Sequence, residues 1–256
     1  MKFIADLQIH SKYSRATSSQ MVVENLARWA KIKGIKVLGT GDFTHPLWLK
    51  ELKDKLVPAE PGLFKFRSDL SSNPTRFMLT AETSHIYTKG GKVRRVHLLI
   101  FAPSFEAVDK INAKLSLWGN LMSDGRPIIG MDSKELLKIV MDVDPNCMVI
   151  PAHAWTPWFS VFGSMSGFDS LEECFEELTP QIHAIETGLS CYDPETEILT
   201  EAGWKPISKI TYSDKICTLN PETEIIEYQK PQKIYKYKYK GKMYRLKTKR
   251  ADLLVT

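Results

Sequence analysis

Asp6, His10, Asp42, His45, Glu82, His153 and Glu186 are the side chains whose types suit metal chemistry, and each stands near the end of an apolar run that reads as a strand. Imidazole nitrogen together with carboxylate oxygen suits Zn, Mn or Fe, and several carboxylates can bridge two or more ions. Such a cluster lowers the pKa of a bound water, giving hydroxide near neutral pH, and holds a phosphate in line for attack. Asp6 and Glu186 are also suited to orienting a neighbour from behind the ions. The other histidines carry weaker signals. His85 and His183 read as hydrogen-bonded or surface residues, and the alternation in Arg94-Arg95-Val96-His97-Leu98-Leu99 puts His97 on one face of a strand without saying which.

Elements must bring these residues together. Phe3 to Leu7 reads as a short buried strand, and Met21 to Lys33 as an amphipathic helix with Val22, Leu26, Trp29 and Ala30 inward and Gly34 as its stop. Val37 to Gly39 is a second strand, and Pro46 opens a helix through Leu56. Phe77 to Tyr87 and Val93 to Phe101 form a hairpin over Gly90-Gly91. Helices at Ser104 to Leu117, Ser133 to Met141 and Leu171 to Leu178, and strands at Met148 to Ala152 and Ala184 to Thr187, complete an α/β pattern that predicts a barrel-like domain. In β/α barrels the carboxyl ends of the strands converge, which is where the metal-suited residues fall.

The chain of 256 residues is 43% hydrophobic, enough for a sizeable core, and carries a net charge of +5. That charge is uneven: residues 1 to 190 hold 22 Lys+Arg against 21 Asp+Glu, and residues 191 to 256 hold 13 against 9. The four cysteines lack C-x-x-C spacing, no secretory signal opens the chain, and no apolar run nears the roughly 20 residues of a membrane helix. These features predict a soluble protein of a reducing cytoplasm with no membrane partner.

Six separated motifs occur in order: Asp6-Leu7-Gln8-Ile9-His10-Ser11, Gly39-Thr40-Gly41-Asp42-Phe43-Thr44-His45-Pro46, Ala81-Glu82, Val96-His97, Pro151-Ala152-His153-Ala154 and Gly167-Phe168-Asp169-Ser170-Leu171-Glu172-Glu173-Cys174-Phe175. Together they resemble the PHP phosphoesterase family, and within it the archaeal endonuclease Q branch, over residues 1 to 190. The resemblance implies a distorted β/α barrel holding two or three divalent ions, Zn, Mn or Mg. It implies hydrolysis of a DNA phosphodiester on the 5′ side of deaminated bases and abasic sites. Carried over by motif, it makes His10, Asp42, His45, Glu82, His97 and His153 the metal ligands. Gln8 departs from the family's usual D-x-H-x-H, and an amide is a poor ligand for Zn, so one ion is expected to be weakly held or ligated differently. Trp155, Trp158, Phe159 and Phe162 form an aromatic loop after His153 on which a base turned out of a duplex would stack, and they serve equally as a cover over the barrel mouth. Arg94 and Arg95 are candidates for DNA phosphates, or a solvated face. A PHP-family phosphatase for a small phosphoester such as histidinol phosphate is an alternative reading.

Across Glu186-Thr187-Gly188-Leu189-Ser190-Cys191-Tyr192-Asp193 the sequence changes character, and no histidine follows. Glu197 to Thr200, Lys215 to Leu219 and Ile225 to Tyr228 read as short strands between turn dipeptides. From Ile234 to Lys240 tyrosine and lysine alternate, and Lys240-Gly241 turns into Met243 to Lys247. Lys233 to Arg250 contains nine Lys or Arg and no acid, which suits a half-exposed hairpin, or alternatively a non-catalytic nucleic-acid-binding module. With Cys191 at its start and Arg250-Ala251-Asp252-Leu253-Leu254-Val255-Thr256 at its close, the segment resembles the amino-terminal splicing part of an intein, an all-β Hint-type module. The resemblance implies that the Cys191 thiolate attacks the Ser190 carbonyl and that Thr256 opens a T-x-x-H motif. The expectation is two domains, 1–190 and 191–256, whose partners are lesion DNA and the remaining intein and host sequence. Alone, these residues are expected neither to splice nor to cut DNA efficiently.

Overall fold

The computed structural model describes residues 3–67, 75–186, 193–219, 225–231, 234, 236, 244–247 and 252–255, the last two as backbone. They fall into two compact units, Met1–Gly188 and Leu189–Thr256. In the first unit β1 (Ile4–Asp6) pairs in parallel with β2 (Ile35–Gly39), and helix α1 (Val23–Lys33) connects them. Helix α2 (Pro46–Lys55) leads into β3 (Leu56–Pro58) and β4 (Phe64–Phe66). The long β5 (Arg76–Lys89) takes β2 and β4 at its start, then turns back at Gly90-Gly91 into β6 (Lys92–Ala102). Both glycines have positive φ, 59° and 72°, which a two-residue hairpin turn demands. After α3 (Phe105–Leu115), the short β7 (Ile128–Ile129) lies parallel to β5. Helix α4 (Ser133–Val143) precedes β8 (Met148–Pro151), which is antiparallel to β6. Helix α5 (Leu171–Phe175) then tightens to 3-10 geometry over Glu176–Gln181.

The sheet is therefore mixed rather than parallel throughout, and among the described residues no pairing joins β8 back to β1. Trp48, Phe43, Phe77 and Phe175 are among its largest fully buried side chains. The Trp48 indole N–H donates to Gly41 O at 2.9 Å, fastening α2 to the turn that follows β2.

Several details differ from the sequence reading. β1 is exposed, not buried, because it pairs on one side only. The inward face of α1 is Val23, Leu26, Ala27 and Ala30, while Trp29 is 54% exposed. Spacing at i, i+3, i+4 and i+7 sets that stripe, and Trp29 lies off it. No strand forms over 184–186. Instead Glu186 alone bridges the end of β8, its N–H donating to Pro151 O at 2.9 Å and its carbonyl accepting from Ala154 N at 2.7 Å. The strands β3, β4 and β7, too short to show a period, went unread.

The second unit contains an antiparallel sheet in the order β10 (Gly203–Pro206), β9 (Glu197–Thr200), β11 (Ile216–Leu219) and β12 (Ile226–Gln229). β13 (Tyr244–Lys247) pairs antiparallel with β14 (Asp252–Val255). Thr187, Ser190, Cys191, Thr256 and most of the lysine-tyrosine run lie outside the described residues.

Candidate metal centre

The register of the β5–β6 hairpin builds the centre. Glu82 stands opposite Leu99 and Ser84 opposite His97, so Glu82 and His97 are diagonal neighbours on one face. Alternation sends Thr83 and His85 to the other face, where the His85 nitrogens are used by Thr83 Oγ1 at 2.9 Å and Met131 O at 3.0 Å. Pairing of β6 with β8, continued by Ala152 N–H to His97 O at 3.0 Å, then brings His153 alongside. His97 Nδ1 lies 2.8 Å and His153 Nε2 3.4 Å from Glu82 Oε1, and the two nitrogens are 3.1 Å apart. Candidate ligand atoms of Glu82, His97 and His153 all lie within 4.8 Å of one another.

The second carboxylate oxygen of Glu82 faces His10 Nε2 at 3.0 Å and the Gln8 amide N at 3.3 Å. His10 is in turn held from behind by Asp42, with Nδ1 2.8 Å from Oδ1. Fully buried Asp42 accepts at Oδ2 from Ser11 N at 2.6 Å, Ser11 Oγ at 2.7 Å and Ser14 Oγ at 2.9 Å. The turn that presents it uses left-handed backbone at Gly41 and Asp42, φ 62° and 51°. A Cβ at Gly41 would fall 2.2 Å from Ile9 O, so only glycine lets the two motifs approach.

Electrostatics follow this geometry. Burial raises the Glu82 carboxyl, but hydrogen bonds from His10, His153 and His97 outweigh it and hold the group far below the usual carboxylate range. Burial lowers His10, yet Asp42 and Glu82 on its two nitrogens lift it to about 9. Burial dominates at His97 and lowers it. His45, the residue before α2, is likewise lowered, chiefly by burial. It stacks on Tyr13 with centroids 4.4 Å apart, and its buried Nδ1 makes no hydrogen bond among the described residues.

Other sequence candidates surround this core. The Glu186 carboxylate accepts from the His153 backbone N–H, and His153 Nδ1 meets Thr156 Oγ1 at 3.0 Å, so the residue with φ 31° is fixed on both sides. Asp6 is exposed at the end of β1, with its carboxylate toward the Gln8 backbone N–H. Trp155, 60% exposed, stacks on Phe162 at 4.6 Å, and the pair lines an open groove with Phe168, Asp169 and Ser170. Trp158 is half exposed beneath Arg95, 5.5 Å from guanidinium to ring. The Arg94 guanidinium is engaged within the loop, 4.1 Å over Phe168 and donating to Gly167 O. Sequence reasoning missed Ser11, Ser14, Thr156 and Arg126, whose Nη1 lies 3.5 Å from Glu82 Oε1. Only the serines had a signal, Ser11 closing the first motif and Ser14 following shortly after it.

Two solved endonuclease Q structures share this fold. One, the lesion-specific endonuclease PfuEndoQ from Pyrococcus furiosus, is 30% identical with a TM-score of 0.61, over 75% of this chain and 43% of that one. The other, an endonuclease Q complex with a 27-mer duplex bearing an abasic lesion at the active site, is 32% identical with a TM-score of 0.62, over 77% of this chain and 45% of that one. An uncharacterized protein of Methanocaldococcus jannaschii is 29% identical over 245 residues, 95% of this chain and 22% of the relative. This chain thus spans less than half of the solved structures and about a fifth of that relative. Two short matches are to proteins of other kinds. An ATP-dependent Clp protease proteolytic subunit of Chlamydomonas moewusii is 44% identical over 66 residues, 26% of this chain and 6% of its own. A DNA-directed RNA polymerase subunit beta C-terminal section of Stigeoclonium helveticum is 36% identical over 76 residues, 29% of this chain and 7% of its own. No family model matches the sequence. Among the described residues no helix is long and apolar enough to cross a membrane.

Proposed function

We propose that residues 1–190 are host sequence of a metal-dependent DNA repair endonuclease, built on a distorted PHP-like barrel. It would cut on the 5′ side of abasic sites and deaminated bases. The observation that carries this reading is Glu82, one buried carboxylate within 3.4 Å of a nitrogen from each of His10, His97 and His153. That donor set fits Zn, Mn or a similar borderline cation. Two endonuclease Q structures with this fold, one holding duplex DNA with an abasic lesion, support the substrate class.

Bound divalent ions would supply a water ionised near neutral pH and a Lewis acid for the phosphate. The chain's own residues do the rest. Glu82 offers one oxygen to the His97 and His153 side and the other to His10. Asp42 orients His10, and Glu186 with Thr156 holds His153. Trp155 and Phe162 offer a stacking wall for an unpaired base, a contact worth about 1–3 kcal/mol.

Residues 191–256 we assign to the amino-terminal splicing part of an intein. In support, the described strands of this segment pair only in antiparallel fashion, as an all-β module would. The Cys191 thiolate would attack the Ser190 carbonyl carbon, the C–N bond would break, and the amine would leave protonated, giving a thioester.

The test measures Mn and Zn uptake together with affinity for a duplex carrying an abasic site or deoxyuridine, against the intact duplex. Metal uptake and at least tenfold preference for the lesion are expected, on the order of 1.4 kcal/mol. No uptake and equal affinity would falsify the endonuclease reading. For the intein reading, dithiothreitol should release a fragment ending at Ser190, and Cys191→Ala should abolish that release.

A further inference from the structure

We propose that Arg126 binds the substrate phosphate at the Glu82 cluster, a role that rests on the metal-centre reading above. Its segment is fixed to the site by backbone contacts from three directions. Gly125 N–H donates to Tyr13 O at 3.0 Å, Thr44 Oγ1 donates to Gly125 O at 3.3 Å, and Ser84 N–H donates to Pro127 O at 3.0 Å. Asp124 Oδ1 also accepts from Arg126 N at 3.0 Å. Gly125 itself presses on the centre, since a Cβ there would lie 2.3 Å from both Asp42 Oδ2 and Ser14 Oγ. The base of Arg126 is thus held rigidly, while its side chain is 41% exposed and reaches inward to Glu82 Oε1 at 3.5 Å.

That ion pair is long, and Glu82 already has closer nitrogens from His97 and His10. A cation on Glu82 would spend the carboxylate charge and repel the guanidinium, which then needs another anion. A guanidinium is always charged and matches the oxygens of a phosphate through parallel N–H donors. Beside a phosphodiester under attack it would offset charge developing on the non-bridging oxygens. Arg94, the alternative suggested by sequence, is already engaged by Gly167 O and Phe168. Arg15, 85% exposed on the loop between β1 and α1, is paired to Asp124 as an outer cation.

The experiment loads the full chain and its R126A and R126K variants with Mn and titrates inorganic phosphate by calorimetry, measuring bound Mn in the same samples. Thermal unfolding checks that each variant is folded. R126A is expected to bind Mn as the parent does and to weaken phosphate binding about tenfold or more, the size of a lost charge-assisted hydrogen bond. R126K should fall between the two. A smaller loss in R126A overturns the proposal, as does loss of Mn from the folded variant, which would make Arg126 a support of the metal site. Failure of the parent chain to take up Mn is a different result, because it removes the metal-centre reading and this proposal with it.

Discussion

Two buried carboxylates, Glu82 and Asp42, share one imidazole and differ in everything else around them. His10 stands between them, Nε2 toward Glu82 and Nδ1 toward Asp42. Glu82 is otherwise surrounded by two more imidazoles, the Gln8 amide and the Arg126 guanidinium. Asp42 is surrounded by a backbone N–H and two hydroxyls on a single oxygen, donors that no cation can substitute. Burial is the same, so the chemistry of the neighbours separates the two. A carboxylate among imidazoles, which can give up a proton and offer a lone pair, is a place for a cation, and one ringed by backbone N–H and hydroxyl groups is a clamp. Asp42, carried over from its motif as a ligand candidate, here meets Ser11, Ser14 and His10.

Replacing Glu82 should have the largest effect. Glu82→Gln is expected to lower Mn or Zn affinity by more than the roughly 100-fold that marks loss of an outer partner, read by equilibrium dialysis. Retained affinity would break the comparison at its centre. Asp42→Asn is expected to cost about 10- to 100-fold with the number of bound ions unchanged, because His10 loses its orientation but the donors remain. If the variant instead loses one whole ion, Asp42 is itself a ligand, and the distinction between clamp and ligand falls.

His85 gives the smallest effect and a control on the opposite face of β5. Fully buried, it is lowered by desolvation to about 4 from an ordinary 6.5. The unfolded chain therefore binds the proton more readily, so this contribution to stability is present above pH 6.5 and is lost as pH falls through the window down to about 4. Between pH 7 and 5.5 the parent should lose about 1 kcal/mol relative to His85→Gln by denaturant titration, with metal uptake intact in both. A difference between parent and His85→Gln that does not change across this window would show that His85 is not the neutral, satisfied residue described.

Much of this was legible in the chain itself. Periodicity located α1 to α4, the glycine pair fixed the β5–β6 hairpin, and motif order drew attention to His10, Asp42, His45, Glu82 and His153. Alternation along β5 separates Glu82 from His85 with no structure in hand, because side chains on a strand must point to opposite faces in turn. Local pattern reports local burial and nothing about which distant strand lies alongside. Tertiary structure alone decided that β6 pairs with β8, which sets His97 beside His153, and that the loop through Gly125 delivers Arg126 to Glu82 across 44 positions. It also decided that Asp42 spends its oxygens on Ser11, Ser14 and His10. Those outcomes depend on backbone register and close approach between separated segments, which residue types constrain only after the chain has folded.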